Sequence, residues 1–127
     1  MEWNIRSDLP IYSQLIEQIK HGIVSGSFAP GERLQSVRDM AMEAGVNPNT
    51  MQRALQELER EGMVFSQRTS GRFVTEDSNA IDEVRVKMAR EYAAAFLKTM
   101  SDLGFDKKQI LELLTSDTLE GKEDGNT

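Results

Sequence analysis

Between Ala44 and Met51 the chain reads A-G-V-N-P-N-T-M, and this stretch limits the possible folds more than any other. Before it, Val37, Met40, Ala41 and Ala44 recur at helical spacing; after it, Met51, Leu55 and Leu58 do the same. Gly45 is a helix stop, Asn47 a cap for the next helix, and Pro48 a first-turn residue whose missing N–H costs nothing there. Ser36, with Asp39 three residues on, marks the start of the first of the pair. Two amphipathic helices joined by only Gly45-Val46-Asn47 must meet at a steep angle.

The flanks of this pair complete a small architecture. Upstream, Tyr12, Leu15, Ile19 and Ile23 form an apolar stripe, with Asp8 as the expected cap and Pro10 in the first turn. Gly26 and the Pro30-Gly31 turn end that helix. Downstream of Gly62 the period changes, and M-V-F-S-Q-R-T-S-G-R-F-V-T predicts two short strands about Arg68-Thr69-Ser70-Gly71, with Gly71 near the tip. Three helices followed by a hairpin predict a winged helix-turn-helix: a mostly α chain with one small β-hairpin, of the α+β class.

A composition break at E-D-S-N-A then leads into a long helix over roughly 79–102, marked by Ile81, Val84, Met88, Tyr92, Phe96 and Leu103 and stopped by Gly104. Asp106 caps a last helix with Gln109 at the capping-box position, and Leu111, Leu113 and Leu114 supply its apolar side. The expected organisation is a winged helix over 1–75, a two-helix region over 76–119, and a disordered polar tail over 120–127.

The formal net charge of −6 argues at first against a nucleic-acid partner, but the charge is unevenly spread. Residues 1–75 hold eight basic and nine acidic side chains, whereas 76–127 hold seven and twelve. Six of the N-terminal basic residues are arginines between Arg33 and Arg72, and arginine's planar fork suits phosphates and guanine edges. Cysteine is absent, which removes disulfides, thiol nucleophiles and cysteine metal sites. The single histidine, His21, has no clustered carboxylates near it in sequence, so no nucleophile–base–acid set can be assembled and no enzyme, metal or cofactor is expected. S-G-S-F-A-P-G lacks the lysine and strand context of a phosphate loop. No apolar run is long enough for a membrane span, and the N-terminus does not read as a secretory signal, so a cytoplasmic location is expected.

The helix over P-N-T-M-Q-R-A-L-Q-E-L-E-R carries the sharpest functional signal. Asn49, Gln52, Arg53 and Gln56 lie opposite Met51, Leu55 and Leu58, and this half contains no acid; Glu57, Glu59 and Glu61 all fall in the second half. A helix whose N-terminal half enters a DNA major groove requires this gradient. Asparagine and glutamine can hold adenine through two hydrogen bonds, and arginine guanine, while carboxylates would repel the phosphates. An ordinary solvated polar face is the bland alternative.

The motifs P-I-Y-S-Q-L, P-G-E-R-L-Q-S-V-R, N-T-M-Q-R-A and S-G-R-F-V follow one another over about residues 9–75. In that order they resemble the DNA-binding domain of GntR-family transcription regulators. The short two-helix tail resembles the YtrA-type subgroup, in which the C-terminal part is a small dimerisation region. The resemblance implies a homodimer on a double-stranded DNA operator, with Arg38 and Thr50 joining the helix face at the DNA, and with Arg68 and Gly71 as wing residues. It also implies a repressor, since such regulators commonly act by occluding promoters. The chain departs from the family pattern at Gln35 (usually proline), Asn47-Pro48 (often serine-arginine), Thr69 (usually glycine) and Arg72 (usually threonine), where Arg72 adds a candidate contact.

Ile81, Val84, Met88, Tyr92, Phe96 and Leu103 are the expected dimer interface. The Met88–Phe96 part of the stripe could instead line a pocket for an unidentified small-molecule effector. About fifty residues leave little room for an enclosed cavity, so packing is the expectation. One rival function is a winged-helix protein-interaction module without specific DNA binding, which the overall acidity favours and the acid-free helix face opposes. The other, which the resemblance implies because some GntR relatives carry a fused aminotransferase-like domain, is an enzyme or enzyme fragment, for which the chain is short and lacks the lysine context.

Overall fold

The computed structural model describes residues 1–116, so the tail expected over 120–127 lies outside the described residues. The element order is α1 (Ile11–Ser25), α2 (Val37–Ala44), α3 (Pro48–Arg60), β1 (Val64–Gln67), β2 (Gly71–Val74), α4 (Ser78–Asp102) and α5 (Lys107–Leu114). The chain divides into two compact units, one over Met1–Val86 and one from Lys87 onward.

In the first unit, α2 and α3 are joined as their capping residues dictate. Ser36 Oγ accepts from the Asp39 N–H at 3.0 Å, and Asn47 Oδ1 accepts from the Asn49 N–H at 2.7 Å. Gly45 takes φ 73°, a conformation that favours glycine, and so turns the chain between the helices. The start of α1 differs from expectation. Asp8 does not cap it; its carboxylate pairs with the Arg6 guanidinium at 2.8 Å, and Pro10 occupies the cap position without a side-chain bond. Gln14 takes over, its side-chain amide donating to the carbonyls of Arg6, Leu9 and Pro10.

That glutamine is half of a device that straps the N-terminal arm along α1. Gln14 Oε1 accepts from the Arg6 N–H and its Nε2 donates to the Arg6 carbonyl; Gln18, one turn on, does the same to Asn4. The two amides thus act as a strand edge for alternate residues of the arm. Trp3 and Ile5, the residues between, pack against the core, and the Trp3 indole N–H reaches Glu43 of α2 at 3.1 Å.

β1 and β2 pair antiparallel with Val64 opposite Val74, Phe65 opposite Phe73 and Gln67 opposite Gly71. A third segment, absent from the sequence reading, lies along β2. The Gly31 N–H donates to the Val74 carbonyl at 3.0 Å, the Val74 N–H to Glu32 at 2.9 Å and the Leu34 N–H to Arg72 at 2.8 Å, with Arg33 bridged to Phe73. The core gathers Leu15, Ile19 and Ile23 of α1, Met40 and Ala41 of α2, Met51, Leu55 and Leu58 of α3, and Val64 and Val74 of the hairpin. Burying each of these large side chains contributes about 1.5–3 kcal/mol.

The unit does not stop at residue 75. Ile81 belongs to the same core, Val84 packs against it, and Arg85 donates to the Val24 carbonyl at the end of α1. Both apolar residues were expected at a dimer interface. Ile81 is instead covered within the chain, because Asp77 caps α4 early enough to lay its first turns on the winged helix.

In the second unit α4 runs on to Asp102, Gly104 turns the chain at φ 99°, and α5 starts at the capping box, with Asp106 and Gln109 each accepting from the other's backbone N–H. Met88 and Ile110 are buried, whereas Tyr92, Phe96, Leu97, Leu103, Leu111, Leu113 and Leu114 are exposed. No helix among the described residues is long and apolar enough to cross a membrane.

Candidate nucleic-acid interface

At about 100° per residue, α3 turns Asn49, Arg53 and Gln56 away from the buried Met51, Ala54, Leu55 and Leu58. These three are exposed; Thr50 and Gln52, on the flanks, are half-buried. None of the side chains of Asn49, Thr50, Gln52 and Gln56 hydrogen-bonds within the described chain, so their donors and acceptors are available to a partner. Arg53 lies over the Tyr12 ring of α1, 4.8 Å from its centroid, which directs the guanidinium without neutralising it.

The second half of α3 is handled differently. Its three carboxylates each hold a cation: Glu57 pairs with Arg60, Glu59 with Arg72 at 3.4 Å, and Glu61 with Lys20 at 2.8 Å. The hydrogen bond from Arg60, followed by the one with Glu61, pulls the Glu57 carboxyl down to about 2, and Arg60 is shifted up in return. This end of the helix remains charged but internally compensated.

The same division sorts the basic residues of the first 75. Arg6, Lys20, Arg60 and Arg72 are committed to carboxylates, whereas Arg33, Arg38, Arg53 and Arg68 have no ion pair among the described residues. Arg38 is exposed in the first turn of α2, and Arg68 is exposed at the wing tip. Arg72 departs from expectation. Only 17% of its side chain is exposed, and its guanidinium turns back onto Glu59 rather than out along the wing, which removes it from the free set. Gly71 has φ 111°, a backbone conformation that favours glycine, and an added Cβ would stand 3.0 Å from Arg33 Nε, so that side chain would have to shift.

Between the wing and the start of α2 lies an open groove of about 490 Å³, lined by Arg33, Gln35, Ser36, Gln67, Arg68 and Gly71 among others. The sequence reading missed Arg33 because its place is fixed by a single bridge to Phe73, a tertiary pairing with no local pattern. Its lack of an acidic partner is likewise visible only in the fold.

Comparisons with known proteins agree with this geometry. The model of the family "Bacterial regulatory proteins, gntR family" matches residues 11–74. An HTH-type transcriptional regulator of Bacillus subtilis (strain 168), YhcF, described as uncharacterized, is 41% identical over 88% of this chain and 93% of its own. The HTH-type transcriptional repressor YtrA of the same organism is 39% identical over 68% of this chain and 67% of its own. Among solved structures, a GntR family transcriptional regulator from Listeria monocytogenes superposes with a TM-score of 0.80 at 34% identity, covering 87% of this chain and 96% of that one. The chain belongs to the GntR family of bacterial transcription regulators and is of the YtrA type.

Proposed function

We propose that this regulator is a repressor that binds an inverted-repeat operator as a homodimer. The observation that carries the reading is the separation of free from compensated charge. Arg38, Arg53 and Arg68 have no carboxylate partner and are exposed, while every acid of α3 is held by a cation of the protein itself. In water-excluded contact with phosphates an uncompensated carboxylate would be repelled by several kcal/mol, roughly, so its neutralisation is what approach to DNA demands.

In this reading Asn49, Gln52, Arg53 and Gln56 meet base edges, Thr50 and Arg38 meet the adjoining backbone, and Arg68 follows the flanking groove. The winged helix is the reading head, and the region expected over 76–119 joins two of them through the exposed apolar side chains beyond Met88. Relief of repression by an effector is left to the same region. That YtrA of Bacillus subtilis is named a repressor supports the sign of regulation.

Selection of bound DNA from a random library tests the proposal. Recovery of a two-fold symmetric site with half-sites about one helical turn apart is expected. Binding should weaken steeply as salt rises. Enrichment of no sequence, with a flat salt response, would leave a protein partner as the better reading.

A further inference from the structure

We propose that Arg33 is an additional DNA contact, a phosphate clamp that the α1–α2 loop lends to the wing; this rests on the DNA-binding reading above. Arg33 is bridged antiparallel to Phe73, which stands opposite Phe65 in the hairpin, so the three side chains share one face of the sheet. Phe65 and Phe73 stack on that face with centroids 5.7 Å apart. Gly71, two residues before Phe73, presents its absent side chain on the same face. The Arg33 guanidinium fills that vacancy, with Nε 3.0 Å from where a Cβ would stand.

The consequence is a three-segment wing in which the third segment brings the cation. Arg33 is exposed, has no acidic partner among the described residues, and lines the same open groove as Arg68. Arg72, the arginine in the wing's own β2, is occupied by Glu59. Arg33 thereby supplies the charge that Arg72 cannot. Its Cα is anchored at mid-wing by the bridge to Phe73 and its side chain runs toward the tip over Gly71, leaving the planar fork at the rim of the groove. A phosphate oxygen pair fits that planar fork.

The test compares wild type with Arg33→Met, which keeps the aliphatic stem on the sheet and loses the charge. Binding is followed by fluorescence anisotropy across a salt series. Two probes are used: a random-sequence duplex and a duplex selected by the protein from a library. Loss of one phosphate contact should lower the slope of log affinity against log salt by about 0.9 and weaken both duplexes alike, by roughly tenfold. Arg33→Lys should restore the slope, since lysine also serves phosphate as a point charge. Arg6→Met, which removes a cation already paired with Asp8, should leave the slope unchanged. Thermal unfolding monitors the fold, and Arg33→Gln carries the same reading if methionine lowers the midpoint. An unchanged slope, a loss confined to the selected duplex, or a lysine variant no better than methionine would each overturn the clamp. A wild-type protein that binds neither duplex would instead overturn the DNA-binding reading along with it.

Discussion

The two units of this chain solve opposite problems. In the unit over Met1–Val86 most large apolar side chains are buried in one core, Leu15, Ile19, Met51, Leu58 and Val74 completely, and exposed ones such as Met42 are scattered. What it leaves open is charge, in four arginines without carboxylates. In the unit from Lys87 the charges are ordinary, as in the Lys98–Asp102 pair at 3.1 Å, and what stays open is apolar surface. Leu103 is 68% exposed and Leu111 61%. A surface of unpaired arginines calls for a polyanion, and a surface of leucines calls for another apolar surface. One chain thus carries two incomplete faces of different chemistry, which is why the proposed DNA-reading and assembly roles can be separated by experiment.

Cutting the chain after Val86 should break the comparison most severely. The cut lies beyond Ile81 and Val84, so the first unit keeps its core and should remain a folded monomer. A cut after Thr75 would remove Ile81 and destabilise the unit. Affinity for a full inverted-repeat site should fall by roughly two to four orders of magnitude on truncation, because the second half-site loses its tether. Light scattering and binding titrations on both chains decide it; a truncated protein that stays dimeric would move the assembly function into the winged helix.

The next contrast is a pair of leucine truncations. Leu58→Ala, in a fully buried site, should lower the stability of the first unit by about 2–5 kcal/mol, measured by denaturant unfolding. Leu111→Ala removes a similar side chain from a largely exposed site and should leave unfolding of the monomer nearly unchanged while raising the dimer dissociation constant. Equal losses of stability at both positions would mean that Leu111 is covered within one chain.

These contrasts also separate what was legible in the sequence from what was not. Helix limits were legible because they are local chemistry: Gly45 after an apolar stripe, Asn47-Pro48 before the next, and Asp106 with Gln109 three residues on each specify a terminus through one or two hydrogen bonds. The acid-free half of α3 was legible for the same reason. Asp8 misled because α1 starts at Ile11, which puts Pro10 rather than Asp8 at the cap position, and the Asp8 carboxylate pairs with Arg6 instead. Arg72, Arg33 and Ile81 were misread or missed because their partners, Glu59, Phe73 and the α1–α3 core, lie 13 or more residues away, where no periodicity reaches. The free arginines of the site could be nominated in the sequence, but the pairing that selects among them exists only in the fold.

Within the first unit, Arg53→Ala sharpens the reading of α3. Arg53 is held by the Tyr12 ring rather than by an acid, so its fork is directed and still charged. If it pairs with guanine, the preferred site should lose roughly 1–3 kcal/mol and selectivity should relax at one position per half-site. A loss of equal size on every sequence would place it on phosphate, and no loss would take it out of the interface.

The smallest expected effect tests the compensated end of α3. Arg60 is 72% exposed, lies about two turns beyond Arg53 on the same outer face, and is neutralised by Glu57. Glu57→Gln should release it, raising affinity for random-sequence DNA a few-fold and steepening the salt response. Acid should not mimic this change. Because the folded Glu57 carboxyl is depressed to about 2, the stability it gives the pair is present above the ordinary carboxylate range and is lost only as pH falls toward that value. Between pH 7 and 4 the pair therefore stays ionised, and wild-type affinity should show no Glu57-dependent gain, whereas the glutamine variant should bind more tightly at both ends of that range. An ordinary carboxyl would be largely protonated by pH 4, so a wild-type protein that converges on the variant there would mean that Arg60 does not hold Glu57 ionised, and the division of α3 into a free half and a compensated half would fail at its clearest pair.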